Sequence, residues 1–165
     1  MNKYLIFFLT ILISMQAYSE FEQLTPSDIL IPPMPLPYDE QVVSSEELFE
    51  FINNTIITGK QPVIIFGGNW CPDCRILEGT LELATVKSFI NKNYQIKHID
   101  IGRYDRNMDL MNFLNIENRK GVPRVVILDL DKEILNSSTS SEWTTARDRK
   151  QQEIFDYFQK FVVKN

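Results

Sequence analysis

Short apolar runs alternate with amphipathic stretches along most of the chain. The apolar runs predict strands, because they are short and rich in β-branched side chains; they span 63–66, 94–101, 125–128 and, across a polar turn, 133–136. The amphipathic stretches predict helices, because their apolar residues recur three or four positions apart; they span 44–58, 71–91, 106–114 and 151–163. Ile96 and Ile99 fall on opposite faces of the second run, which predicts a fully buried central strand. The order αβαβαββα predicts an α/β fold with a central β-sheet flanked by helices.

Local signals set the expected ends of two of the helices. Ser44 and Glu47 have the spacing of a capping box, and Gly59 is a typical helix stop, so the first helix is expected between them. Residues 79–80, a glycine and a threonine, predict a break in the second helix. After that break, residues 85–91 are expected to form a further turn or two.

The first 19 residues have the pattern of a secretory signal peptide. Lys3 precedes an apolar stretch at 4–15, and Ala17 and Ser19 are small residues at the two sites that a signal peptidase reads. The stretch has 12 residues, fewer than the roughly 20 that a membrane-spanning helix needs. We therefore expect residues 1–19 to be removed, the protein to be exported, and no stable insertion in a membrane, with a retained anchor as the alternative.

Residues 20–43 are rich in proline and form the next expected segment. Five of the eight prolines of the chain lie there, and that density excludes a helix or a central strand. We expect an extended arm that is either a spacer or a strap over the domain, and its interleaved apolar residues favour the strap. A ligand for a proline-recognition domain is a further alternative.

The remaining residues, 44–165, are enough for one domain. The net charge is −5 at pH 7, and no basic run offsets it. Binding to nucleic acid or to anionic lipid is therefore not expected. We expect a monomer, in the periplasm if the source is a Gram-negative bacterium, with a eukaryotic secretory lumen as the alternative.

The sequence Trp70-Cys71-Pro72-Asp73-Cys74 contains both cysteines of the chain. It follows an apolar run and begins a predicted helix, where unpaired backbone N–H groups favour a thiolate at Cys71. Cys74 lies one turn further along, close enough to form a disulfide with Cys71. The pair can therefore store two electrons.

Two other interpretations of the cysteines are weaker. A zinc site needs about four ligands, and the chain offers two thiols and a single histidine, His98. A purely structural disulfide would close a loop of only a few residues and would restrict the unfolded chain little. We therefore expect no metal, and no cofactor other than a redox-active Cys71–Cys74 disulfide.

The chain resembles the thioredoxin superfamily, in particular the bacterial exported thioredoxin-like proteins. Four features carry the resemblance: Trp70 before the first cysteine, the Cys71 and Cys74 pair, the segment Gly121-Val122-Pro123 before a strand, and the closing hairpin and helix. The resemblance covers residues 44–165 and implies a thioredoxin-like fold with a central mixed β-sheet flanked by helices. It implies that Cys71 is the attacking thiol and Cys74 the resolving thiol. It also implies that Pro123 is a cis-proline facing the dithiol, and that Val122 offers its backbone to an extended substrate. The alternative for Pro123 is an ordinary proline at the entry to a strand.

The chain departs from the family pattern in the strand before the active site. The buried acid of many thioredoxins would fall near Ile65, which cannot move a proton, so Cys74 must lose its proton to water or to another group. Lys97 is a candidate for the usual partner of that acid. His98 is a candidate base, although a lone histidine in a strand is more often structural.

The residues around the cysteines set the expected redox properties. Pro72 fits the first helical turn, and the charge of Asp73 competes with the Cys71 thiolate for the helix N-terminus, partly offset by Arg75. That competition favours a reducing couple. Trp70 is expected to be an aromatic lid beside the sulfurs, with plain packing as the alternative. The stretch from Arg75 to Val122 is also too short for the large helical insertion of exported dithiol oxidases.

The sequence thus predicts a thiol:disulfide oxidoreductase, and favours a periplasmic reductase of protein disulfides. A dithiol oxidase and a redox-inert thioredoxin-fold binding module are the alternatives. The expected partners are protein or small disulfide substrates and a thiol protein that donates electrons.

Overall fold

Strand β1 (Gln61–Gly67) forms the centre of the sheet, and all seven of its residues are buried. The computed structural model describes residues 21–116 and 121–163. Strand β2 (Tyr94–Asp100) pairs with β1 in parallel, and strand β3 (Arg124–Ile127) pairs with it antiparallel, in the order β2-β1-β3. The helices are α1 (Ser45–Ile57), α2 (Pro72–Leu81), α3 (Ala84–Asn93), α4 (Asp109–Phe113) and α5 (Gln151–Lys160).

Alternate residues of β1 enter two hydrophobic cores on opposite faces of the sheet. Ile64 and Phe66 belong to the first core, together with apolar residues of α1 and α4. Val63 and Ile65 belong to the second core, with residues of α2, α3 and α5. The structure therefore confirms the predicted fold class, a mixed sheet covered by helices on both faces.

The capping box predicted for α1 is confirmed. The Glu47 N–H donates to Ser44 Oγ at 3.1 Å, and the Ser44 N–H donates to the Glu47 carboxylate at 2.7 Å. Beyond the end of the helix, Gly59 has a φ of +77°, which glycine adopts without strain. Two other helices are shorter than the pattern predicts, because α4 begins at residue 109 and α5 ends at residue 160.

The prediction that 94–101 forms a buried central strand is wrong. Strand β2 lies at the edge of the sheet, and Gln95 on it is exposed. Ile96 and Ile99 do face the two different cores. Helices that cover both faces make even an edge strand apolar, so its composition does not reveal its place in the sheet.

The fourth predicted strand, 133–136, is confirmed only in part. Among the described residues it returns antiparallel to the end of β3, with an isolated bridge between Leu128 and Ile134 and a hydrogen bond from the Leu135 N–H to the Ile127 carbonyl at 2.9 Å, but it forms no full strand. The buried side chain of Asn136 takes over the pairing, because it accepts a hydrogen bond from the Ile127 N–H at 2.9 Å and donates one to the Val125 carbonyl at 2.8 Å. A side-chain amide thus satisfies the backbone of β3 where a strand was expected. Two 3₁₀ segments that the pattern did not predict follow, at Ser137–Thr139 and Glu142–Asp148.

Helix α2 is not broken at residues 79–80 but continues to Leu81. A Cβ on Gly79 would lie 2.8 Å from Met34 Sδ and 3.2 Å from Leu30 Cδ2. Both of these atoms belong to the proline-rich arm. The glycine therefore allows the arm to lie close against the helix, and does not end the helix.

The described part of the arm, residues 21–43, runs across the helices of the second core and then reaches α1. At the start of α3, the Asp28 carboxylate accepts hydrogen bonds from the Thr85 N–H at 3.1 Å and from its hydroxyl at 2.6 Å. Near α1, the Val43 N–H donates to Asn107 Oδ1 at 2.9 Å. Both halves of the arm are therefore hydrogen-bonded to the rest of the chain.

The predicted signal segment, 1–19, lies outside the described residues. None of the helices in 21–116 and 121–163 combines the length and the apolar character needed to cross a bilayer.

Candidate active site

Cys71 is the N-cap residue of α2, just beyond the carboxyl end of the central strand. Pro72 follows in the first helical turn, where its missing N–H leaves no intrahelical hydrogen bond unmade. The Cys74 N–H donates to Cys71 Sγ at 3.3 Å. A free backbone donor at the helix start is therefore aimed at the sulfur that the sequence predicts to attack.

The two sulfurs differ strongly in acidity. Hydrogen bonds from the Cys74 side chain and backbone lower the pKa of Cys71 to about 7, although burial acts in the opposite direction. Burial, together with the neighbouring Cys71, raises the pKa of Cys74 well above its usual range. Both residues are free thiols, and they are 4% and 1% exposed. Near neutral pH, Cys71 thus forms a thiolate while Cys74 keeps its proton, as expected of an attacking and a resolving thiol.

The segment that contains Val122 and Pro123 faces the dithiol. The Cys71 thiol donates to the Val122 carbonyl at 3.4 Å, and the peptide bond between Val122 and Pro123 is cis. The Gly121 N–H donates to the Tyr104 hydroxyl at 3.0 Å, and this hydrogen bond helps to hold the segment in place. The fold therefore brings the two motifs that the sequence singles out into direct contact.

Asp73 is held by the 3₁₀ segment at Glu142–Asp148. Its Oδ1 accepts a hydrogen bond from the Arg147 N–H at 3.0 Å, and its Oδ2 lies 3.5 Å from the Arg147 guanidinium. Asp73 is 4% exposed. Its negative charge raises the pKa of Cys71, against the larger lowering by the hydrogen bonds from Cys74. The sequence did not identify Arg147 as a partner of Asp73.

Trp70 makes its contacts with the loop that follows β2. The indole N–H donates to the Gly102 carbonyl at 2.6 Å, and the ring lies 4.7 Å from the Arg103 guanidinium and 5.8 Å from the Tyr104 ring. The residue is 36% exposed. Trp70 thus links the cysteine loop to the Gly102 loop, and its role as an aromatic lid beside the sulfurs stays a prediction.

The position of the family's buried acid is occupied by Ile65, which is packed in the second core. Lys97 does not take the place of the acid's partner, because it pairs in register with Ile64 and lies over the Phe51 ring, 5.6 Å from its centre. His98 pairs with Ile65 instead and so faces the α2 side of the sheet. Its Nε2 lies 2.7 Å from the Glu78 carboxylate. Glu78 follows Cys74 by about one helical turn, so the sequence alone indicates that the two side chains lie on the same face of α2.

Tyr38, on the arm, is the residue of this site that the sequence analysis missed. It is 4% exposed, its ring packs edge-on against His98 with centres 5.4 Å apart, and its hydroxyl and Cys74 Sγ both adjoin the Cα of Gly67. Burial and the charge of Cys74 raise the pKa of Tyr38. The sequence signal is an aromatic residue at the end of a proline-rich run, which does not identify its distant partner.

The site can form a disulfide from its own two thiols. This disulfide would join Cys71, the N-cap residue, to Cys74 in the first turn of α2. In the described part of the chain, no group of three or more His, Cys, Asp or Glu side chains is arranged to hold a metal ion.

Comparison with known proteins agrees with this geometry. A family model described as Thioredoxin matches residues 36–154. The solved structure of the disulphide isomerase from Xylella fastidiosa Temecula1 is 31% identical, with a TM-score of 0.69, and the match covers 76% of this chain and 96% of that chain. The germline-specific thioredoxin Deadhead from Drosophila melanogaster is 17% identical, with a TM-score of 0.51 over 75% of this chain and 100% of that chain, a likeness of fold alone. No curated protein sequence gives a significant match. The family match and the 31% identical structure show that the chain belongs to the thioredoxin family.

Proposed function

We propose that this chain is a thiol:disulfide oxidoreductase that reduces protein disulfides in the periplasm. The observation that carries the proposal is the environment of Cys71. Its sulfur lies at the N-terminus of α2, accepts the Cys74 N–H, and contacts the Val122 carbonyl. A low-pKa thiol beside backbone groups that can pair with an extended chain is suited to attack on a peptide disulfide.

The proposed reaction has two exchange steps. In the first, the Cys71 thiolate attacks one sulfur of a substrate disulfide, forms a mixed disulfide and releases the first substrate thiol. In the second, Cys74 attacks the Cys71 sulfur, the mixed disulfide breaks, and the second substrate thiol leaves. The substrate gains two electrons and the Cys71–Cys74 pair loses them. A thiol protein of the same compartment then restores the dithiol.

The charge of Asp73 favours the reducing direction. A dithiol couple is oxidising when its reduced form is strongly stabilised relative to the disulfide, for example by a stable thiolate. It is reducing when that stabilisation is small. Asp73 raises the pKa of Cys71 and so limits this stabilisation. A dithiol oxidase is the alternative that a high measured reduction potential would favour.

Disulfide isomerisation is a second candidate function, because the Xylella structure that is 31% identical carries the name disulphide isomerase. The two activities differ in their need for Cys74. Net reduction requires Cys74 to close the ring, whereas reshuffling of a substrate requires attack by Cys71 and release by one of the substrate's own thiols.

Single cysteine variants test the proposal. With a thiol donor present, wild type should reduce insulin, and Cys71→Ser should abolish the reduction. Cys74→Ser should trap substrates as mixed disulfides that Cys71→Ser, its matched control, does not trap. Equal trapping by the two variants would show that their roles are wrongly assigned.

Two further measurements separate the alternatives. Reactivation of scrambled ribonuclease by Cys74→Ser, together with no insulin reduction by wild type, would favour the isomerase. No activity in either assay with any donor would favour a redox-inert binding module that uses the groove at Val122 and Pro123. Export follows from the expected signal segment, and cell fractionation that leaves the protein in the cytoplasm would contradict it.

A further inference from the structure

We propose that Tyr38 is a catalytic residue of the resolving step, in which its hydroxyl donates a hydrogen bond to Cys74 as that sulfur becomes a thiolate. The inference rests on the proposed function, because a resolving step exists only in an enzyme that exchanges disulfides. It assigns a chemical role to the proline-rich arm, which carries Tyr38.

The position of the hydroxyl is fixed by the strand beneath it. Tyr38 and Cys74 share the space above Gly67, where a Cβ would clash with the Tyr38 hydroxyl and would lie 2.8 Å from Cys74 Sγ. The absence of a side chain at Gly67 therefore gives the phenol room to reach the sulfur. The hydroxyl and the sulfur thus adjoin the same small space on the surface of β1.

The backbone of Tyr38 is held by the loop that precedes the active site. The Tyr38 N–H donates to Asn69 Oδ1 at 3.2 Å, and Asn69 Nδ2 donates to the Tyr38 carbonyl at 2.7 Å. Asn69 lies two residues before Cys71. The tyrosine is therefore clamped to the same loop that places the dithiol, which keeps its hydroxyl in place before the reaction begins.

Cys74 needs such a donor. It is 1% exposed, and burial disfavours its thiolate. Ile65, at the position of the family's buried acid, has no polar atom to offer. Burial and the charges of Cys74 and Glu78 keep the Tyr38 hydroxyl protonated, so that it acts as a donor to the thiolate.

The step balances without another reactant. Cys74 gives up its proton and attacks the Cys71 sulfur of the mixed disulfide, and the bond between Cys71 and the substrate sulfur breaks. The departing substrate thiolate is reduced and takes up one proton, while Cys74 is oxidised. Tyr38 stabilises the charge on Cys74 and keeps its own proton throughout.

A hydrogen bond to a charged group changes the population of the charged form by about tenfold to a hundredfold. A thiolate that is stabilised in this way is also a weaker nucleophile, with a Brønsted coefficient of about 0.4–0.5, so that roughly half of the gain is lost on a logarithmic scale. Removal of the hydroxyl should therefore slow resolution by about threefold to tenfold at neutral pH.

The test uses stopped-flow mixing of the reduced full-length protein with an aromatic disulfide whose released thiolate is coloured. Attack by Cys71 releases the first coloured thiolate, and resolution by Cys74 releases the second. In Tyr38→Phe, the first phase should keep its wild-type rate and the second should slow by about threefold to tenfold. Tyr38→Met, which also lacks a hydroxyl, should give the same pattern.

Tyr94→Phe is the matched control. Tyr94 is a buried tyrosine whose hydroxyl donates to the Phe158 carbonyl at 2.7 Å, and its loss should leave the ratio of the two phases unchanged. The proposal is overturned by an unchanged second phase in Tyr38→Phe, by equal slowing of both phases, or by failure of both Tyr38 variants to fold. If wild type itself releases no second thiolate, the proposed function fails instead, and the two failures are thereby distinguished.

Discussion

The charge of Asp73 should hold the dithiol couple at a more reducing potential, and Asp73→Asn isolates this effect. An asparagine oxygen can still accept the hydrogen bond that Asp73 Oδ1 accepts from the Arg147 N–H. The substitution therefore removes the charge and keeps the contact. Because the charge of Asp73 raises the pKa of Cys71, its loss should stabilise the Cys71 thiolate and with it the reduced form.

The size of the effect follows from the burial of Asp73. Two like unit charges about 8 Å apart repel by about 2 kcal/mol when the effective dielectric constant is about 20. Since Asp73 is only 4% exposed, solvent screens its charge little, and a repulsion of about 1–2 kcal/mol with the Cys71 thiolate is expected. For a two-electron couple about 1.4 kcal/mol corresponds to about 30 mV, so the potential should rise by about 20–40 mV. The guanidinium of Arg147 does not cancel this change, because it is present in both proteins.

A glutathione redox titration at pH 8, where most of Cys71 is ionised, measures the potential. Thiolate absorbance over a pH series gives the pKa of Cys71, which should fall. Asp131→Asn, in an exposed turn, alters the net charge equally and should leave both values unchanged. An unchanged potential in Asp73→Asn, or a higher Cys71 pKa, would refute the reasoning.

Two further predictions follow from the site and the sheet. The rate of attack by Cys71 on an uncharged disulfide should rise about tenfold per pH unit up to pH about 7 and then level off, because the thiolate is the nucleophile; a midpoint at the ordinary cysteine value of about 8.5 in stopped-flow traces would contradict it. Asn136→Ala should lower the free energy of unfolding in urea by on the order of 3 kcal/mol, because the Ile127 N–H and the Val125 carbonyl lose buried partners. A loss below about 1 kcal/mol would show that other groups replace the amide.

The parts of the site that depend on neighbouring residues could be predicted from the sequence. The apolar run before Gly67, the turn, and Pro72 after Cys71 together predict a strand that leads into a helix N-terminus. A helix start favours a thiolate by the same backbone geometry in any fold. The capping box of Ser44 and Glu47 is equally local, since all of its atoms lie within one turn.

The parts that depend on strand pairing could not be predicted. An alternating pattern shows that Lys97 and His98 face opposite ways, but it does not show which of them faces α2. The register with β1 decides this, because Ile65 pairs with His98 and lies on the α2 side of the sheet. Asn136 is a similar case. It ends a run that predicts a strand, and the sequence does not show that its side chain, instead of its backbone, forms the hydrogen bonds to β3.

The arm is the element for which the sequence is least informative. Its proline content explains both why its sequence resembles that of a linker and how it can become ordered against the domain. Proline-rich segments form neither helix nor central strand, so they have the sequence pattern of linkers. The same prolines fix φ and leave fewer conformations to lose when the segment becomes ordered. An arm of this kind can therefore hold a tyrosine against Cys74 without regular secondary structure. A domain boundary at residue 44 would separate Tyr38 from Cys74, whereas the family match already begins at residue 36. The arm and the dithiol therefore belong in one unit when the domain is cut or transferred.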